Sequence, residues 1–277
     1  MNGRSIVMVF ASLAACAAPA LAEQPSAAAV AGFDTYTRAV ETRLGREHRT
    51  GSAFVMVPAQ TAERLRNGEV IIEQVTPDPA PAVPGAMLVH WRGTAFVAGV
   101  TAADFESMMR NFSEYPRIYA PQVVEAHMLS EDGDRIEAMM RTRQKHVLTV
   151  VLDATYDGVF GRLDEQHRFS LSRSKQIDEI EGAGTAHEHA LTPAENHGFL
   201  WRLNTYWTCV ERDGGIYMQI ETVSLTRSIP AGLGWVVGPF VEKVPRESLE
   251  FTLRATCAAL RKSPGDTAGQ EQKSAAP

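Results

Sequence analysis

The stretch 197–261 constrains this chain more than any other. HGFLWRLNTYWTCVERDGGIYMQIETVSLTRSIPAGLGWVVGPFVEKVPRESLEFTLRATCAALR reads as one supersecondary unit. Two strand-like runs flank Asp213-Gly214-Gly215. An Asp-Gly pair between alternating runs is a strong hairpin signal, because glycine supplies the positive φ that the turn needs. In the first run Phe199, Trp201, Leu203, Thr205, Trp207 and Cys209 fall on one face, with Arg202, Asn204, Tyr206 and Thr208 on the other. That is the period of two of a half-buried strand. A two-residue loop pairs Tyr206 with Glu221 and Arg202 with Leu225, whereas a one-residue slip or a glycine bulge would flip one face. After the break at Ile229-Pro230-Ala231-Gly232, residues 233–261 read as a long final helix. Leu249, Leu253, Thr256, Cys257 and Leu260 form its apolar stripe at three- and four-residue spacings. Pro245 marks a new first turn or a kink. The almost wholly apolar 233–241 is predicted to be buried or to line a cavity.

Upstream, 86–100 reads as a long strand and Thr101 as the N-cap of a helix over 103–112. A short helix or turn follows near 115–119, punctuated by Pro116 and Pro121. Antiparallel candidates come next at 123–130 and 135–145, joined by Asp132-Gly133, then at 147–160 and 166–180, before a polar loop at 181–196. One strand, two short helices, six strands and a long helix make an α+β domain, with helices segregated from an antiparallel sheet. Nearer the N-terminus, 33–44 reads as an amphipathic helix ending at Gly45, 61–67 as a short helix capped by Gly68, and 69–75 as a strand. The proline run 77–81 is a stiff loop. The predicted organisation is a signal peptide at 1–22, an N-terminal extension at 23–82 packing on the main domain, that domain at 83–262, and a disordered tail at 263–277.

The first residues predict export. Arg4 supplies the positive charge, 6–18 a short apolar run, and Pro19-Ala20-Leu21-Ala22 a small-residue cleavage site. The run is too short to span a bilayer. Leu13-Ala14-Ala15-Cys16 also fits a lipoprotein box, which would tether the protein to a membrane through Cys16. Either way the mature chain is expected outside the cytoplasm, periplasmic or secreted. Two cysteines then remain, Cys209 and Cys257. They are a candidate disulfide in an oxidising compartment, or two buried thiols acting as small hydrophobes. A net charge of −6 argues against nucleic acid as the partner.

With this order of elements, residues 84–261 resemble the START-like superfamily, also called SRPBCC, with its birch-pollen-allergen and polyketide-cyclase branches. GFLWRLNTYW, SLTRSIPAGLGW and GPFVEKVPRESLEFTL resemble an exported bacterial branch of it. The resemblance implies a helix-grip fold, in which a curved antiparallel sheet wraps around a long C-terminal helix and encloses an apolar cavity. It implies a lipid or other apolar small molecule as partner and no cofactor. The superfamily has no universal catalytic motif, so no catalytic residue carries over. The N-terminal extension departs from the minimal pattern and could cover the cavity mouth.

The ligand-lining candidates are Trp201, Leu203, Trp207, Trp235, Phe240, Leu249 and Leu253, with Phe199 and Phe251 beside them. Such a set is either an ordinary core or the wall of a cavity. Among the basic strand positions, Arg173 and Lys175 share a face with Phe169, Leu171 and Ile177. They read as solvated charges lying along the sheet, or as a contact for an anionic head group at the cavity mouth. Arg202, Tyr206 and Glu221 read as a surface cross-strand cluster, or as a polar anchor or acid–base set inside the cavity. His187, Glu188, His189, Glu195 and His197 sit in a polar loop and are assigned no metal. Three functions are compatible with this reading: a carrier of an apolar molecule, a cyclase/aromatase-like enzyme using Arg202, Tyr206 or Glu221, and a structural envelope protein with a filled core.

Overall fold

The computed structural model describes residues 24–50, 55, 57–145, 149–228 and 234–262, with residue 50 and the stretch 234–242 described by backbone alone. The chain opens with α1 (Ala27–Thr50) and α2 (Ala59–Arg66), then β1 (Ile71–Gln74) and β2 (Ala86–Ala98). Next come α3 (Ala102–Arg110), a 3-10 turn at Phe112–Glu114 and α4 (Tyr115–Ile118). The strands β3 (Val123–Asp132), β4 (Arg135–Lys145), β5 (Thr149–Arg162), β6 (His167–Glu181), β7 (His189–Ala190), β8 (Arg202–Arg212) and β9 (Gly215–Arg227) follow, and α5 (Gly234–Lys262) closes the chain. All strands join one antiparallel sheet, ordered β1-β2-β9-β8-β6-β5-β4-β3, with β7 paired to β6 off that path. This is the α+β helix-grip arrangement.

Local chemistry accounts for the pieces that position the rest. Asp213 and Gly214 both take positive φ, at 56° and 75°, which is the type I′ turn that matches strand twist. Arg212 therefore pairs with Gly215, and the two-residue loop pairs Tyr206 with Glu221 and Arg202 with Leu225. Thr101 and Asp104 close a capping box on α3: each side chain accepts the other's backbone N–H, at 3.1 and 2.9 Å.

Both faces of the central strands are covered. On the inner face Trp91, Ala95, Val97, Trp207, Cys209 and Met218 pack with Phe105 and Met108 of α3 and with Leu249, Leu253, Cys257 and Leu260 of α5. On the outer face Ala29, Phe33, Val40 and Leu44 of α1 pack on Leu88, Tyr206, Val223 and Leu225. Ala62 and Leu65 of α2 continue that layer over Phe96, Val210 and Tyr217. Double coverage leaves β2 and β9 buried almost throughout, with little of the in–out alternation of a one-sided sheet.

Three expectations change. α1 does not end at Gly45 but runs on to Thr50. β1, assigned by sequence to the extension, is the edge strand of the sheet beside β2. Trp201 does not share a face with Trp207. It lies just before β8, beyond the turn at Gly198 (φ 77°), and packs among the α1 residues, so strand alternation does not reach it. Of the two readings open for the cysteines, the structure has the second: Cys209 and Cys257 are free thiols, both buried in the same apolar cluster. Burial pushes both thiols up, Cys257 to about 11, so each behaves as a small hydrophobe. Residues 1–22 with Cys16, the tail 263–277 and the side chains of Trp235 and Phe240 lie outside the described residues. No helix among the described residues is long and apolar enough to cross a membrane.

Candidate functional site

The inner face has two unlike regions. Near α5's last turns it is filled. A Cβ placed on Gly93 of β2 would sit 2.5 Å from Leu253 Cδ1, 3.0 Å from Ile72 Cδ1 and 3.3 Å from Leu249 Cγ. Leu249, Leu253 and Trp207 are buried there, Trp207 with its ring tilted on Phe105 at 5.7 Å. These three ligand-lining candidates are core packing in this region.

Further along the strands the register builds a row of small side chains. Trp91 of β2 stands opposite Thr222 of β9, Thr222 opposite Thr205 of β8, Thr205 opposite Ser172 of β6, and Ser172 opposite Gly158 of β5. Leu203 stands opposite Ser224 in the adjacent row, and its backbone N–H donates to the Ser174 hydroxyl at 2.9 Å. Thr222, Thr205, Ser172, Leu203, Ser224 and Ser174 are all only half-buried, in contrast with the sealed cluster around Leu253. At one end of the first row the Trp91 side chain is 7% exposed, and its indole Nε1–H has no hydrogen-bond partner. The only other buried side-chain polar atom without a partner among the described residues is Trp201 Nε1, on the outer face. A buried donor left unpaired costs about 1–3 kcal/mol.

The polar candidates gather on the other side, under α1. Glu221 is almost fully buried and held from three directions. Arg43 donates to Oε2 at 2.5 Å, His90 Nε2 lies 2.9 Å from the same oxygen, and Arg92 Nε donates to Oε1 at 3.0 Å. His90 Nδ1 is 2.9 Å from the Tyr36 hydroxyl. Burial works to raise the carboxyl's pKa, but the His90 hydrogen bond and the charges of Arg92 and Arg43 outweigh it and leave Glu221 at about 2. Arg173 makes a two-pronged pair with Glu41 of α1 at 2.6 and 2.7 Å, and the Tyr206 hydroxyl donates to Glu41 at 3.1 Å. Arg202 donates to the Trp201 carbonyl at 2.9 Å. Lys175 pairs with Glu137 at 2.7 Å. Arg173, Tyr206 and Glu221 are thus brought together by α1, on the face away from α5, and they do not form a polar set inside a cavity beneath α5. Tyr36, Glu41, Arg43, His90 and Arg92 complete the outer cluster, and the sequence reading does not single them out. Their signal lies in His90, Arg92 and Thr94, polar at alternate positions of an otherwise apolar strand, which marks a second covered face with a polar seam.

His48, one turn beyond Leu44 on α1, stacks on Phe169 at 4.2 Å between ring centroids. Burial pushes its imidazole down to about 4, and Arg43 adds to the effect. The unfolded chain, with a histidine near 6.5, takes up that proton first, so stability is expected to fall as pH drops from 6.5 through about 4. Thermal unfolding of the wild type and of His48→Gln at pH 7 and pH 5 checks this. The variant should lose less stability on acidification, and an equal loss in both would sink the assignment.

In the polar loop, Glu188 accepts from Arg141 at 2.7 Å and Glu195 from the Thr192 hydroxyl at 2.7 Å, while His197 Nδ1 lies 2.8 Å from Glu179. Among the described residues no group of three or more His, Cys, Asp or Glu is placed to hold a metal ion.

The chain matches no family model and no curated protein. It is similar to several solved structures. One is a STAR-related lipid transfer protein from Xanthomonas axonopodis, 16% identical, with a TM-score of 0.43 over 69% of this chain and 99% of that one. Another is human StAR-related lipid transfer protein 5, 11% identical, TM-score 0.46, over 83% and 97%. A third is a Streptomyces aromatase/cyclase, 14% identical, TM-score 0.42, over 65% and 98%. The helix-grip fold of this chain is read from its own strand order and closing helix.

Proposed function

We propose that this chain is an exported binding protein that holds a lipid or other apolar small molecule between the inner face of the sheet and α5. The observation that carries the reading is the cross-sheet row Trp91, Thr222, Thr205, Ser172 and Gly158. Thr222, Thr205 and Ser172, small and half-buried on three adjacent long strands, leave room that the bulky cluster around Leu253 does not, between Trp91 at one end and the Ile136 side chain, which fills the space over Gly158, at the other. The unpaired Trp91 N–H at its end suits a ligand with an apolar body and one hydrogen-bond acceptor. Apolar surface withdrawn from water would supply the affinity, at roughly 25 cal/mol per Å². The acceptor would relieve the unpaired donor. The leader at 1–22 supports export, and Cys16 offers a second route to the envelope. Of the residues named for the enzyme alternative, Tyr206 and Glu221 bond to α1 and so do not support acid–base work on the inner face.

The test is native mass spectrometry with organic extraction of protein purified from the periplasm. A defined apolar molecule is expected to co-purify, and Trp91→Phe is expected to hold it about tenfold more weakly, the worth of one hydrogen bond. A ligand-free wild type that takes up no added lipid, or retention unchanged in both Trp91→Phe and a row-filling Thr205→Leu, would remove the proposal.

A further inference from the structure

A separate cavity of about 360 Å³ lies on the outer face, at the seam between the C-terminal half of α1 and strands β6 and β8. That volume is at the small end of ligand sites. Leu44, Phe169 and Leu171 give it an apolar floor, beside Tyr206, Glu41 and His48. Arg49 and Arg162 line its exposed end.

Two features separate this cavity from a packing defect. The first is Gly45. Glycine weakens a helix interior, and this one sits well inside a helix that runs Ala27–Thr50. Its backbone is not in the left-handed region, and a Cβ there would meet only an Arg49 guanidinium nitrogen, at 3.7 Å, an ordinary contact. Neither conformation nor packing calls for glycine at this position. What the missing side chain does is leave the cavity wall open.

The second feature is charge. Glu41, the carboxylate in the wall, is committed to Arg173 and to the Tyr206 hydroxyl. Arg49 has no carboxylate partner among the described residues. Arg162 reaches only Glu106, at 3.5 Å, and Glu106 is already held by Arg168 at 2.9 Å and Arg110 at 3.1 Å. The exposed end of the cavity therefore carries two arginines, one without a carboxylate partner among the described residues and one with only a long contact to a carboxylate shared by two others.

We propose that this cavity binds a small anionic amphiphile, its apolar body on Leu44, Phe169 and Leu171 and its anionic group on Arg49 and Arg162. The site is independent of the inner-face row, so either can fail without the other. The shared chemistry is an anionic oxygen group on a short chain, whether carboxylate or phosphate.

The experiment titrates the full mature chain with decanoate, decyl phosphate and decanol by calorimetry. Both anions are expected to bind, at least tenfold more tightly than decanol. Preference between them identifies the head group. Gly45→Leu, which places a side chain in the cavity, should weaken both anions tenfold or more. Arg49→Gln with Arg162→Gln lies at the surface and keeps the fold. It should weaken the anions tenfold and leave decanol unchanged. Trp91→Phe, on the other face, should change nothing here. The proposal is overturned if no probe binds at millimolar concentration, if Gly45→Leu binds as the wild type does, or if the double arginine variant binds anions undiminished.

Discussion

Replacing Glu221 by glutamine is expected to remove about 3 kcal/mol of stability at neutral pH and to flatten the acid-unfolding curve. The figure follows from two routes. Removing one partner of a buried ion cluster costs roughly 3–5 kcal/mol, and the low end applies because the Arg43 and Arg92 side chains keep 31% and 28% of their exposure and can turn to water. Independently, the folded carboxyl titrates at about 2 where the ordinary value is 4.5. At about 1.36 kcal/mol per pH unit, that difference is again about 3 kcal/mol. The sign is that of a depressed carboxylate: the contribution is fully present above pH 4.5 and is lost as pH falls through about 2. Urea unfolding at several pH values between those limits, for wild type and Glu221→Gln, reads the effect. Parallel curves for the two proteins would show that Glu221 does not carry it. The same variant also separates the functions. Because Glu221 is covered by α1, ligand uptake on the inner face should survive the substitution wherever the protein remains folded. Loss of uptake from a folded variant would return Glu221 to the site.

What is legible in the sequence, and what is not, divides along a physical line. Local rules determine register: Asp213-Gly214 closes a tight turn, and the pairing of Tyr206 with Glu221 follows from that turn alone. The helical stripe Leu249, Leu253, Cys257 and Leu260 likewise identifies the face by which α5 docks. Periodicity groups residues onto a face but carries no information about what covers that face. Tyr206 and Glu221 group correctly across the hairpin, yet the element that meets them is α1, which belongs to the far end of the chain. Nothing in a strand's alternation names a partner at that separation. Trp201 escapes for a different reason. The strand begins one residue after it, and one residue outside a strand is enough to leave its alternation. Trp91 is invisible to sequence because an unpaired donor is defined only by the atoms placed around it.

The seam between α5 and β2 yields the other large effect. Leu253→Ala is expected to cost about 3 kcal/mol, since the side chain is fully buried and its neighbours can relax only partly into the space left behind. Gly93→Ala is expected to cost about 1–3 kcal/mol by overpacking, because its new methyl would stand 2.5 Å from Leu253 Cδ1. The two substitutions act on one contact in opposite senses, so they should not add. In the double variant the methyl added at position 93 occupies volume that the leucine side chain has vacated, and the total loss should fall short of the sum by about 1 kcal/mol or more. Chemical denaturation of the four proteins measures the coupling directly. Strict additivity would mean that α5 does not press on Gly93, and the close grip of the C-terminal helix on the sheet would have to be abandoned. A favourable coupling would instead place the fixed end of α5 at this seam. The row from Trp91 to Ser172, the next same-face position along β2 from Gly93, would then be the part of the inner face left for a ligand.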